Sequence, residues 1–145
     1  MSHARVLLHT AAFAAPLVAL YGAAAAFDLR LSEVHTMAGP AVAAAQVAAL
    51  AGWPLLERYR ASAWTAPLLI GLLMAFVTHL LFGPFAIVSQ MLFEETPVGD
   101  GAISAALLFS YISALVAGIA TAPATMAVAV LVHRLRRKEL VRVTA

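Results

Sequence analysis

One of the two longest apolar runs of this chain, Ala63–Phe93, has no Asp, Glu, Lys or Arg in its 31 residues. Three further runs share this character: Val6–Phe27, Met37–Leu56 and Ala102–Val132. A helix that crosses a bilayer needs about 20 predominantly apolar residues. The sequence therefore predicts an all-α, polytopic membrane protein in which four transmembrane helices form a single bundle over residues 1–145.

Composition supports lipid as the solvent of this chain. Its 145 residues are 63% hydrophobic and 11% charged, whereas an ordinary soluble domain is about 25% charged. The chain has no cysteine, which excludes disulfides, iron–sulfur clusters and cysteine nucleophiles. Because so little of it lies outside the apolar runs, we expect no nucleic-acid partner.

The distribution of basic residues predicts the orientation of the four spans. Short connections make successive spans antiparallel, and eight basic residues then fall on one side of the membrane, with only Arg30 on the other. The eight are Arg5, Arg58, Arg60, Arg134, Arg136, Arg137, Lys138 and Arg142. Basic residues favour the cytoplasmic side, so we expect an inner-membrane protein with cytoplasmic N- and C-termini. The first run has 22 residues, which exceeds the roughly 7–15 of a signal-peptide core and predicts a permanent span.

Two of the runs are longer than a bilayer requires. In the third, Gly83-Pro84 predicts a helix break, because proline removes a helical hydrogen bond and disfavours helix in the residue before it. The span would then be 63–82, and residues 85–93 would lie along the interface, re-enter the membrane or continue as a tilted helix. In the fourth run, 102–132, Pro123 predicts a kink, and residues 133–145 form a basic cytoplasmic tail.

Small residues at helical spacing predict how the spans pack, since lipid supplies no hydrophobic force between helices and close approach must hold them together. The stripe of the fourth run consists of Ser110, Ala114, Gly118 and Ala122. The second run has Ala44, Ala48 and Gly52, with Ala41, Ala45 and Ala49 beside them. These faces fit either the bundle itself or a contact with another subunit.

His79 is the principal candidate for chemistry, because an ionisable side chain within a span is costly and suggests a function. Its position predicts a depth near Asp28 and His35, where an imidazole could bind a metal ion or relay protons. The competing interpretation is a neutral histidine hydrogen-bonded to a carbonyl, Ser or Thr. Gln46 is a second polar residue that could line a pathway.

The remaining polar residues give weaker signals. His9 and His133 are predicted at similar depth, as a bis-histidine haem site would require, but at the membrane edge. The aromatic residues Trp53, Tyr59 and Trp64 are typical of an interfacial belt rather than a site. The basic residues of the tail predict contacts with anionic lipid headgroups; they are Arg134, Arg136, Arg137 and Lys138.

No catalytic or nucleotide-binding motif occurs in the sequence, so no catalytic residue and no cofactor is predicted. The favoured hypothesis is a non-enzymatic accessory or scaffold subunit of a larger membrane assembly, whose partners are the bilayer and other membrane subunits or further copies of the chain. Two alternatives stay open: a small oligomeric transporter or channel that uses His79, and a membrane metal or haem protein.

Overall fold

The computed structural model describes residues 3–26, 32–59, 64–93 and 99–144. These residues form five helices and no strand, which confirms the all-α prediction for the described part of the chain. The helices are α1 (His3–Ala26), α2 (Ser32–Arg58), α3 (Thr65–Phe93), α4 (Ala102–Val116) and α5 (Gly118–Thr144).

Three helical stretches are long and apolar enough to cross a membrane. They are Met37–Arg58 of α2, Thr65–Phe93 of α3 and Gly118–Arg136 of α5. α4 and the apolar stretch Leu7–Ala23 of α1 are shorter. The chain therefore has the character of a membrane protein.

The helix break predicted at Gly83-Pro84 is absent, since α3 continues through both residues to Phe93. Pro84 has no N–H for the carbonyl oxygen of Leu80, four residues earlier. The hydroxyl of Ser110, from α4, donates to this oxygen instead, at 2.9 Å. Gly83 also has no Cβ to clash with the proline ring. Residues 85–93 thus continue the helix.

The fourth apolar run forms two helices instead of one kinked at Pro123. α4 ends at Val116 and α5 begins at Gly118, with Ala117 between them, while Pro123 lies inside α5. The carbonyl of Ala117 accepts from the N–H groups of both Ala120, at 3.1 Å, and Thr121, at 2.9 Å. The bond to Ala120 has the tighter 3₁₀ spacing, and glycine is a weak helix former. The irregularity therefore falls at Ala117–Gly118.

α3 is the central helix, and it packs against α2, α4 and α5. Because α1 packs against α2 and α5, the helices α1, α2, α3 and α5 close into a ring, while α4 packs chiefly on α3. Apolar residues fill the ring in two clusters. The first is built from Phe13, Ala49, Leu56, Ile70, Met74 and Ala129. The second is built from Leu17, Ala41 and Ala45.

Glycines of α3 mark the closest approaches between helices. A Cβ on Gly71 would lie 2.7 Å from the Cα of Met126 in α5. A Cβ on Gly83 would collide with the backbone oxygen of Ala106 in α4. Only glycine allows the backbones to approach this closely, as is common between membrane helices.

The two predicted small-residue stripes differ in how deeply their members are buried. In α2 all six members are buried: Ala41, Ala44, Ala45, Ala48, Ala49 and Gly52. In the fourth run Ser110 is buried and Gly118 and Ala122 are half-buried, but Ala114 is exposed. The face of α4 and α5 that meets α3 therefore follows Ser110, Ser113 and Thr121 rather than a strict four-residue spacing.

Candidate functional site: polar clusters between the helices

His79 joins three helices through its two ring nitrogens. The residue is 6% exposed. Its Nδ1 lies 2.8 Å from the Ser113 hydroxyl of α4, and its Nε2 lies 2.7 Å from the Thr121 hydroxyl of α5. Ser113 and Thr121 stand on opposite sides of the step at Ala117. His79 of α3 thus bridges the two halves of the fourth apolar run.

The hydrogen-bond network assigns the tautomer of His79. The Thr121 hydroxyl donates its single proton to the carbonyl oxygen of Ala117, at 2.9 Å. Its oxygen therefore accepts from Nε2–H of the imidazole, and Nδ1 accepts from the Ser113 hydroxyl. This arrangement satisfies both nitrogens of a neutral imidazole.

Gly118 makes room for the ring. A Cβ at this position would lie 3.7 Å from Nε2 of His79, an ordinary van der Waals distance, so a larger side chain would reach the imidazole. Position 118 thus has room for a methyl group beside the ring, but a large side chain there would displace the imidazole.

This is the environment of a neutral histidine hydrogen-bonded to Ser and Thr hydroxyls, which is the structural alternative to metal binding and proton relay. A metal ion at His79 would have to displace Ser113 or Thr121 from a ring nitrogen. Within the described residues, no group of three His, Cys, Asp or Glu could hold a metal ion. Asp28 and the side chain of His35 lie outside the part of the chain that the structure describes.

A small cavity lies beside the imidazole. Its volume is about 10 Å³, and its polar lining comes from Thr78, His79, Thr121 and Thr125. A space of this size holds about one water molecule. The hydroxyl of Thr78 donates to Met74 O at 2.8 Å, and that of Thr125 donates to Thr121 O at 2.8 Å. Gln46 is half-buried in α2 and is not among the lining residues.

A second polar group, which we call the Arg136 cluster, consists of His9, Trp53, Glu57 and Arg136. Arg136 of α5 donates from Nη1 to Oε1 of Glu57 at 3.0 Å and from Nη2 to Nδ1 of His9 at 3.2 Å. Its guanidinium carbon lies 4.0 Å from the centroid of the Trp53 ring, a cation–π contact. One arginine thus ties α5 to α1 and α2.

His9 has a fixed orientation within this cluster. Its Nε2 donates to the carbonyl oxygen of Ala49 at 2.9 Å, which leaves Nδ1 as the acceptor for Arg136. The ring stands edge-on to Trp53, with centroids 4.7 Å apart, and lies 4.8 Å from the ring of Phe13. Both nitrogens are engaged, so His9 has none left for the haem iron that the pairing with His133 would require.

The Arg136 cluster closes one end of a cleft between α1 and α5. The cleft has a volume of about 490 Å³. Apolar residues of the two helices form its walls: Leu8, Ala12 and Ala15 from α1, and Val128, Leu131 and Val132 from α5. It is an apolar space with charged groups at one end.

Sequence reasoning missed this cluster for identifiable reasons. By its position in the sequence Trp53 is typical of an interfacial aromatic residue, and Arg136 is one of several basic residues expected to contact headgroups. The structure turns the Arg136 side chain inward, where it is 13% exposed, while Arg134 is exposed. The side chains of Arg137 and Lys138 lie outside the described part. The signal available was that Trp53 and Glu57 share one face of α2 at i, i+4 spacing.

Comparison with protein-family models, with curated proteins and with solved structures finds no match for this chain. The function of the His79 site and of the Arg136 cluster is therefore inferred from their geometry.

Proposed function

We propose that this chain is a four-span protein of the inner membrane that serves as an accessory or scaffold subunit of a larger membrane assembly. In this proposal α1, α2 and α3 each cross the bilayer, and α4 and α5 together form the fourth crossing of an antiparallel bundle. The observation that carries the proposal is an apolar groove between α3 and α4.

The order of contacts supports the antiparallel arrangement. His9 bonds to Ala49, whereas Leu17, further along α1, packs with Ala41, which is earlier in α2. Likewise Gly83 approaches Ala106 and Gly71 approaches Met126. Basic residues gather at the end marked by Arg136, which favours cytoplasmic termini by the positive-inside rule.

The groove has the form of a seat for another membrane helix. Its volume is about 400 Å³, and it is lined almost entirely by apolar groups. Ala102 and Ala106 allow close approach, and larger residues stand beside them: Leu80, Leu81, Ile87, Ile103 and Leu107. Helix pairs in lipid form where small residues let backbones approach, and an apolar helix commonly binds in such a groove.

The His79 site favours a structural role over transport. Both ring nitrogens of His79 are hydrogen-bonded to hydroxyl groups of the neighbouring helices, those of Ser113 and Thr121. The cavity beside the ring has a volume of only about 10 Å³. A solute pathway within one subunit needs more space than this. Oligomeric transport through His79 is the alternative that the following experiment addresses.

The test is purification of the tagged full-length chain from its native membrane in mild detergent, with measurement of complex mass and composition. We expect a complex containing other subunits in fixed stoichiometry. Leu107→Trp, which obstructs the groove, should dissociate it. Leu115→Trp, on the same helix at similar exposure but outside the groove, should leave it intact. Recovery of the chain alone, or only with further copies of itself, would refute the accessory-subunit proposal.

A further inference from the structure

We infer that the cleft between α1 and α5 binds one acyl chain of an anionic phospholipid, with its headgroup at the Arg136 cluster. This lipid site is distinct from the groove between α3 and α4 and goes beyond the proposed scaffold function.

The size and lining of the cleft suit a chain of methylene groups. Its volume of about 490 Å³ falls within the roughly 300–1,000 Å³ of ligand sites in proteins. The facing residues are unequal in size, since α1 offers Ala12 and Ala15 where α5 offers Val128 and Leu131. The alanines leave the space between the helices unfilled.

The cleft is open to the surroundings of the bundle along its edge. Leu8 of α1 is 71% exposed, and Leu131 and Leu135 of α5 are 57% and 55% exposed. In a membrane these apolar edges meet lipid. An acyl chain from the bilayer can therefore enter sideways without crossing a polar surface.

The charges at the closed end select the headgroup. The charged residues that line the cleft are Arg136 and Glu57. The exposed Arg58 and Arg134 lie close to them along α2 and α5, so the described side chains at this end of the bundle carry a net positive charge. Arg136 is held in place by Glu57, His9 and Trp53, so little conformational entropy is lost when a headgroup approaches it. Basic pockets between membrane helices bind anionic headgroups in this way.

The location of the cluster agrees with the depth of a headgroup. Arg136 is the last residue of the apolar stretch Gly118–Arg136, and Glu57 lies one residue before the end of Met37–Arg58. Both therefore lie where the hydrocarbon region ends. A lipid whose chain fills the cleft would have its phosphate at this level.

The experiment is native mass spectrometry of the full-length protein in a neutral detergent, titrated with phosphatidylglycerol or with phosphatidylcholine of identical acyl chains. We expect the first phosphatidylglycerol to bind about five-fold more tightly than the first phosphatidylcholine, the effect of one basic residue on an anionic headgroup. Equal affinities of the two lipids would overturn the inference.

Two matched pairs of variants locate the site. Ala15→Phe fills the cleft, whereas Ala19→Phe places the same ring on an exposed position of α1 outside it. Only Ala15→Phe should reduce the first binding of phosphatidylglycerol to that of later, non-specific lipids. Arg136→Gln should abolish the preference for phosphatidylglycerol, while Arg142→Gln, with the same net charge, should retain it.

The two pairs keep the inference testable if Arg136→Gln does not fold, because Ala15→Phe leaves the Arg136 cluster intact. If Ala15→Phe binds phosphatidylglycerol as tightly as Ala19→Phe, no chain occupies the cleft and the inference is refuted. Neither result depends on whether the protein belongs to a larger assembly.

Discussion

The hydroxyl of Ser110 donates to the carbonyl oxygen of Leu80 at 2.9 Å, across the interface between α4 and α3. Pro84 leaves this oxygen without its usual helical donor. The same hydroxyl accepts from the N–H of Gly83 at 3.2 Å. The continuity of α3 and the docking of α4 therefore depend on one side chain.

Replacing Ser110 by alanine should destabilise the protein and weaken the docking of α4. Interhelical hydrogen bonds in membranes contribute about 0.6 kcal/mol on average and at most about 1.7 kcal/mol. With two bonds lost, we expect Ser110→Ala to lower the free energy of unfolding by about 1–2 kcal/mol, measured by titration with a denaturing detergent. Ser104→Ala, on the exposed side of the same helix, is the control, and equal effects of the two substitutions would contradict the role assigned to Ser110.

Gly83 of α3 and Gly118 of α5 should respond differently to substitution by alanine. In Gly83→Ala the new Cβ collides with the backbone oxygen of Ala106, which cannot move without moving α4. We expect a loss of about 1–3 kcal/mol in unfolding free energy, as for overpacking. In Gly118→Ala the Cβ makes an ordinary contact with His79 at 3.7 Å, so stability should change little. Tolerance of alanine at Gly83 would mean that α4 does not pack at this distance.

A larger residue at Gly118 tests whether the imidazole of His79 occupies the space beside this position. Gly118→Leu should displace the imidazole and disrupt the fold more than Leu108→Ala, because Leu108 is exposed. Thermal unfolding of the two variants in the same detergent measures the difference. If Gly118→Leu had no effect on thermal unfolding, the face of α5 that contains Gly118 would be directed toward lipid.

The apolar runs predict helices because a helix satisfies its backbone hydrogen bonds within one segment, as lipid requires. The break predicted at Gly83-Pro84 was wrong because another helix supplies the missing hydrogen-bond donor. That donor is the Ser110 hydroxyl of α4, which is too far from Pro84 in the sequence to be recognised from the local pattern. A signal for the packing face of α3 was nevertheless present: Gly71, Ala75, His79 and Gly83 recur every four residues, and all are buried. This stripe also places His79 in a helix interface.

The Arg136 cluster was harder to predict from sequence. Arg136 stands among basic residues that suffice to explain topology, and its partners His9 and Glu57 are 127 and 79 residues away in the chain. No local pattern distinguishes Arg136, which turns inward, from Arg134, which is exposed. Only the meeting of α1, α2 and α5 at one end of the ring brings the partners together.

Reporter fusions test the proposed orientation. The N-terminus, the C-terminus and the connection containing Arg58 and Arg60 should report a cytoplasmic location, because basic residues are retained there. The connections 28–36 and 94–101 should report the opposite side. A C-terminus outside the cytoplasm would refute the four-span arrangement.

Arginine should not be replaceable by lysine in the Arg136 cluster. Lysine keeps the charge but lacks the planar fork that reaches Glu57 and His9 together and the flat face that lies on Trp53. We expect Arg136→Lys to lower the free energy of unfolding by about 1 kcal/mol, within the range for a partly buried cation–π contact and its hydrogen bonds. Arg134→Lys, at an exposed position of the same helix, should leave stability unchanged. Equal stability of both variants would show that only the charge of Arg136 matters.

Substitutions of His79 separate its structural role from metal binding and proton transfer. Glutamine offers a donor and an acceptor, so His79→Gln should retain part of the bridge between Ser113 and Thr121, and with it the fold and the assembly. His79→Leu removes both groups and should lower the free energy of unfolding by about 1–3 kcal/mol. Because Ser113 acts through the ring, Ser113→Ala should add less destabilisation in the His79→Leu background than in the wild-type protein.

The functional readout comes from the same preparations. Metal content and proton-coupled uptake in vesicles are compared between the wild-type protein and His79→Gln, with thermal stability as the measure of folding. If glutamine abolishes bound metal or uptake while stability is kept, His79 acts through a ligating or titrating nitrogen, and its structural assignment is wrong. Unchanged values for His79→Gln, together with a stability loss in His79→Leu, would establish His79 as the residue that holds α4 and α5 against α3.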